Sequence, residues 1–276
     1  MDNKFIFNKL DNNIKVLLIP IKNIKLVHLQ LAFNIGSDIE KLNEGTLEVS
    51  HFMEHMYSYL TSSKYPDALK LASKFKLLGI STDASVDSNT SKYDIKFHNK
   101  NIDFVFDVLI NAYKDFKVDT KIFEQERVSI QEEIKNILDD IWNSLIEDIN
   151  KELYKNHVRS LSQKHNLNNV AKLKPKDLYN FYKTYYTPNK TNLILSGDFN
   201  VKQITNKINA TFGKIKPLKC NIISPGLNSR GIDNNIIFSR NTNTHSYNLF
   251  IIFKIPYYYF DKEYYENYAL SMIMAK

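Results

Sequence analysis

The chain has one cysteine, Cys220, among its 276 residues. A single thiol excludes an internal disulfide framework and fits a reducing compartment. No run of roughly 18 apolar residues occurs, the length a membrane-spanning helix needs, so no membrane partner is expected. The N-terminus, Met1-Asp2-Asn3-Lys4-Phe5, has neither the apolar core of a signal peptide nor the Arg-rich, acid-poor look of a transit peptide. The expectation is a cytoplasmic location, with organellar import left open. Low-complexity tracts and convincing short repeats are missing as well. So is any dense block of Lys and Arg: the net charge of +7, from 37 basic and 30 acidic residues, is spread along the chain, mostly as Lys beside Asn. That pattern describes a solvated surface, and no nucleic-acid partner is expected.

What is present is enough apolar material, 43% of residues, for a full core. Alternating stretches predict strands near 4–9 and 14–20, with Asn12-Asn13 as the turn, then Leu26–Phe33, Ile80–Val86, Ser91–His98 and 191–197. Helical periodicity predicts helices over 45–61, from Pro66 to Leu78 with Gly79 as the stop, and over Ile102–Phe116, Asp119–Leu138, Ile141–Tyr154, 175–186 and 201–212. The polar segment 156–172 reads as a loop, and 213–233, with Pro217, Pro225, Gly226 and Gly231, as a loop or linker. Two strands, 234–240 and 246–255, and a helix begun by Asp261 follow. Strands interleaved with helices predict an α+β layer structure. The expected organisation is one domain over 1–276, with 1–212 as its core.

The most informative residues are His51-Phe52-Met53-Glu54-His55. On a helix, residues four apart stand one above the other, so His51 and His55 share a face about 40° wide. Two imidazoles so placed can bind one Zn²⁺. Glu54 falls about 60° to one side, within reach of a metal-bound water but outside the coordination positions. The flanking Val49, Phe52, Met53 and Met56 are apolar, so this helix should be largely buried, and buried His and Glu need partners.

Catalytic zinc takes three protein ligands and a water. A third ligand is available in the helix that Asp119 caps. Glu126 and Glu133 are seven residues apart and point nearly the same way, whereas Glu132 is rotated by about 100° from Glu133. Helical geometry places Glu126 and Glu133 on one acidic stripe and does not choose between them as ligand.

With both motifs in view, the sequence resembles the pitrilysin/insulinase-type zinc metallopeptidases, the group that includes the mitochondrial processing peptidases. Their HxxEH pattern is matched by His51–His55, and their downstream E-R-x-x-x-x-x-E-I by Glu126-Arg127 and Glu133-Ile134. Further likenesses lie at Phe33-Asn34-Ile35-Gly36-Ser37, at Asp83-Ala84-Ser85 with Thr90 and Tyr93, at Leu173–Asn189 and at Leu193–Phe199. The resemblance implies a mostly antiparallel sheet with helices packed on one face, half of a clamshell. It implies His51, His55 and Glu133 as zinc ligands, and a catalytic set of Glu54 as general base and Glu126 as the acid that orients the site. It implies Asp83 and Ala84 as contacts to substrate backbone.

Three departures qualify the likeness. Leu47-Glu48-Val49-Ser50 stands where the family has small residues, or Leu, and a Gly before the first His. Asp83 replaces the family's Asn, and an ionised Asp accepts hydrogen bonds but donates none. Family members are built of two related halves, and this sequence corresponds to the first. The expected function is that of a zinc metalloendopeptidase, with a zinc-bound water and a Glu base hydrolysing a peptide or protein substrate. The alternative is a zinc-binding subunit that is inactive alone, its clamshell completed by a second peptidase-like chain or by a homodimer.

Overall fold

Period-two alternation decides which side of the sheet is covered. In the strand Leu26–Phe33, Val27, Leu29, Leu31 and Phe33 are buried while His28 and Gln30 are partly exposed. The same alternation recurs in Ser91–His98 and Thr191–Gly197. Helices therefore cover one face, and the other carries polar side chains such as His28, Gln30 and Asp94.

The computed structural model describes residues 5–40, 46–154, 157–218 and 220, with 265, 266 and 268. Its strands are β1 (Ile6–Lys9), β2 (Lys15–Pro20), β3 (Leu26–Phe33), β4 (Ser81–Val86), β5 (Ser91–His98) and β6 (Thr191–Gly197). Its helices are α1 (Val49–Ser58), α2 (Ala68–Leu77), α3 (Ile102–Asp115), α4 (Thr120–Asp139), α5 (Ile141–Leu153), α6 (Gln163–Val170), α7 (Pro175–Tyr185) and α8 (Val201–Thr211). The six strands form one sheet in the order β1-β2-β6-β3-β5-β4. Only β2 and β6 run parallel; the other four pairs are antiparallel. Leu29 lies opposite Ile95 on one side and Leu195 on the other, so three buried side chains meet at the centre of the sheet. This is the expected α+β arrangement.

Local chemistry explains most helix ends. Asp67 caps α2 by accepting from the Lys70 amide at 2.9 Å, so the helix starts at Ala68, two residues later than the predicted start at Pro66. Gly79, at φ +66°, ends the same helix in the left-handed region. Asp119 caps α4 through the Lys121 amide at 2.9 Å. Gly36 is required by a close approach: a β-carbon there would lie 2.2 Å from the Asp87 carbonyl oxygen. That approach ties the short turn Ser37–Ile39 to the β4–β5 hairpin, with Ser37 N–H donating to Asp87 O at 3.0 Å.

The predicted loop 156–172 is corrected, because α6 occupies 163–170. Leu167 and Val170 are its only apolar residues, so no apolar stripe announces it. Ser162 caps it through the His165 amide at 3.2 Å, and Arg127 of α4 donates to the carbonyls of Val170 and, at 2.8 Å, Leu173. The predicted strands 234–240 and 246–255, most of the helix from Asp261 and most of the linker 213–233 lie outside the described residues. Among the described residues no helix is long and apolar enough to cross a membrane.

Candidate metal centre

α1 carries His51 and His55 because its opposite face is sealed. Val49, Phe52, Met53, Met56 and Tyr57 are buried against the sheet and neighbouring helices. Phe52 stacks on Phe123 of α4 with ring centroids 4.4 Å apart, and Tyr93 of β5 donates its hydroxyl to Met53 O at 3.3 Å. These contacts bring α1 against α4 at the level of Glu126 and Glu133. Ile122, Phe123, Ile130 and Ile134 bury the inner face of α4.

The two acids left open by helical geometry do different things. Glu126 Oε2 lies 2.8 Å from His55 Nδ1, while its Oε1 accepts from the Tyr59 hydroxyl at 2.6 Å. Glu133 Oε2 lies 3.3 Å from His51 Nε2 and 3.6 Å from His55 Nε2. A carboxylate only accepts, so Glu126 fixes the proton of His55 on Nδ1 and leaves Nε2 as a lone pair facing Glu133. His51 has the same arrangement: its Nδ1 is 2.9 Å from Glu48 Oε2. Two imidazole nitrogens and one anionic oxygen thus converge. Their donor atoms all lie within 4.8 Å of one another. Ligand atoms about 2.0–2.1 Å from a tetrahedral ion stand about 3.3–3.4 Å apart, so the donor types and the two distances to Glu133 suit Zn²⁺. Glu133 is 49% exposed, against 16% for His55 and 22% for His51, which leaves the site open on the α4 side.

The electrostatics follow from these contacts. The hydrogen bond from His55 holds the Glu126 carboxyl below its usual range despite partial burial, and Tyr59 adds to it. Burial opposes charge on His51, but Glu48, through its hydrogen bond and its charge, outweighs it with help from Glu54 and Glu133, and the imidazole is shifted up. Tyr59 is pushed up to about 12 by burial and by Glu126. Glu40 is pushed up to about 7 by burial and by the charge of Glu48, against hydrogen bonds from Ser50 and the Glu48 amide.

Glu54 faces a different element. Its Oε2 accepts from the Val86 amide of β4 at 2.8 Å. β4 is an edge strand of the sheet. Asp83 is exposed on it and accepts from the adjacent Ala84 amide at 3.0 Å. The structure therefore brings His51, His55 and Glu133 together, sets Glu126 behind His55, and puts Asp83 and Ala84 on the strand that anchors Glu54. Sequence reasoning missed Glu40, Tyr59 and the part played by Glu48. Glu48 is three residues before His51, a spacing that places side chains together on a helix, and that signal was readable. Nothing in the sequence pointed to Glu40, whose position depends on the turn after Gly36.

Residues 15–163 match the sequence pattern of the family described as Insulinase (Peptidase family M16). The chain belongs to that family. Residues 172–276 match a second pattern of the same group, described as Peptidase M16 inactive domain. The zinc protease YmxG of Bacillus subtilis (strain 168) is 25% identical over 151 residues, 54% of this chain and 36% of that protein. The beta subunit of the mitochondrial-processing peptidase of Dictyostelium discoideum is 21% identical over 168 residues, 61% of this chain and 36% of that one. Among solved structures, a protease from Helicobacter pylori superposes with a TM-score of 0.70 at 19% identity, covering 82% of this chain and 53% of that one. The first half of the periplasmic protease PqqL from Escherichia coli gives 0.69 at 23% identity, covering 81% of this chain and 49% of that one. The fold is thus that of M16 protease halves, and the chain spans less than two thirds of the length of each of these relatives.

Proposed function

We propose that this chain carries the zinc site of a metalloendopeptidase, with His51, His55 and Glu133 holding the ion. The observation that carries this reading is the convergence of two imidazole Nε2 atoms on one Glu133 oxygen at 3.3 and 3.6 Å. A Zn²⁺ ion held by these three residues would supply Lewis acidity and lower the pKa of a water beside it towards neutrality. Glu126 keeps the His55 ring in the tautomer and orientation that present Nε2. Glu54 is the general base: with one oxygen anchored by the Val86 amide, it takes the proton of the attacking water and passes it to the leaving amine. An extended peptide pairs with the open edge of β4, where Asp83 accepts from substrate amides and Ala84 offers backbone groups.

A second reading has its own support. The chain spans 53% of the Helicobacter pylori protease, and its later part matches the inactive domain of the family. On that reading it binds zinc but cleaves only when a further half closes over the substrate.

The experiment is metal analysis and chelator-sensitive peptide cleavage by the purified chain, with its size in solution. His51→Ala and Glu133→Ala should both lose zinc. Glu54→Gln should keep zinc and lose cleavage by a factor of about 10²–10⁴. Cleavage by Glu54→Gln at the wild-type rate removes Glu54 as base. A monomer that binds zinc and cleaves nothing favours the second reading.

A further inference from the structure

Helix α1 starts in a conformation that a side chain disfavours. Glu48, its N-cap, sits at φ 68°, ψ 6°, in the left-handed region that suits glycine. Its own carboxylate does not cap the helix. That task falls to Glu40, eight residues earlier and buried. Glu40 Oε2 accepts from the Glu48 amide at 2.8 Å, and Oε1 accepts from the Ser50 amide at 2.8 Å and from the Ser50 hydroxyl. Glu40 therefore meets the amides of Glu48 and Ser50 at the start of the helix, and the Glu48 side chain is directed elsewhere. It reaches His51 Nδ1 at 2.9 Å and is itself only 17% exposed.

We propose that Glu48 is a positioning residue for His51, doing for that ring what Glu126 does for His55, with Glu40 as the anchor that holds Glu48 in its strained turn. The inference rests on the zinc reading of the site and adds to it. It turns the Leu47–Ser50 departure from the family pattern into a working part. Both rings then have a carboxylate on Nδ1, and both Nε2 atoms are aimed at Glu133. Without Glu48, Nδ1 of His51 loses its acceptor and the ring is free to turn about its Cβ–Cγ bond, which takes Nε2 away from the shared centre.

The test compares Glu48→Ala, Glu48→Gln and Glu48→Gly with the wild type and with Glu132→Ala, an exposed change outside the site. Zinc affinity is read by chelator competition, and the unfolding temperature is measured on the metal-free chain. Loss of an orienting partner lowers metal affinity by about 10–100-fold, the result expected for Glu48→Ala and Glu48→Gly. Glu48→Gln keeps an acceptor for Nδ1–H and should fall between Glu48→Ala and the wild type. Glu48→Gly separates positioning from stability: glycine relieves the left-handed strain, so the metal-free chain should unfold at the same or a higher temperature while zinc affinity still falls. Wild-type affinity in both Glu48→Ala and Glu48→Gly overturns the proposal. So does an affinity loss that appears only together with a lower unfolding temperature. A wild-type chain that binds no zinc overturns the zinc reading and this inference together, whereas zinc binding indifferent to Glu48 removes only the latter.

Discussion

The two helices that meet at the candidate metal centre are held in different ways. On α1 the imidazoles are one helical turn apart, fixed by backbone hydrogen bonding. Each has a carboxylate behind it, Glu48 for His51 and Glu126 for His55. On α4 Glu133 is half exposed, and among the described residues its carboxylate faces only the two rings. One wall of the site is set before any ion arrives, and the other reaches it with a flexible side chain. The difference teaches that local spacing can preset two of the proposed ligands, whereas the third depends on how tightly α4 is packed on α1.

The sharpest way to break that comparison is to loosen the packing itself. Phe52→Ala removes the stacked contact with Phe123, both fully buried. It should lower stability by about 3–5 kcal/mol in urea unfolding and weaken zinc binding even though no ligand is touched. An unchanged zinc affinity in the folded variant would show that Glu133 reaches the rings without this contact.

A smaller effect tests the preset wall. The Glu40 carboxyl is raised from its ordinary 4.5 to about 7, so between those values the folded chain holds a proton that the unfolded chain has released. Stability contributed by Glu40 should therefore be lost as pH rises through that window, by at most about 1.4 kcal/mol per pH unit. Glu40→Gln cannot titrate. Its stability curve, measured beside the wild type from pH 4.5 to 7, should lack this downward component; parallel curves would mean that Glu40 ionises normally.

The smallest expected change is Tyr59→Phe, which removes one donor from Glu126 and leaves the contact with His55. It should cost about 1.5 kcal/mol of stability and lower zinc affinity less than Glu48→Ala does. A larger loss of zinc than in Glu48→Ala would mean that Tyr59, rather than the His55 contact, sets the orientation of Glu126.

Much of this was legible in the chain. The strands Leu26–Phe33 and Ser91–His98 match their predicted limits, because alternation over eight residues is a strong local signal. The helix around His51 is shorter than 45–61, starting at Val49, because Glu48 adopts a left-handed turn that periodicity does not report. Helix α6 was missed because its amphipathic signal is two residues deep, and what secures it is Arg127 from another helix. The spacing of Glu126 and Glu133 put both on one stripe of α4; one faces Nδ1 and the other Nε2, a distinction made by where α1 lies across that stripe.

By itself the sequence determined the HxxEH pair, the acidic stripe and the order of the main elements, since each depends on spacings that a strand or helix converts directly into faces. Only the tertiary structure decided which acid faces which ring nitrogen, that the Val86 amide anchors Glu54, and that the Glu40 carboxylate caps the helix bearing both histidines. Those contacts join different elements or cross a turn, and their geometry is set by packing, which no local period encodes.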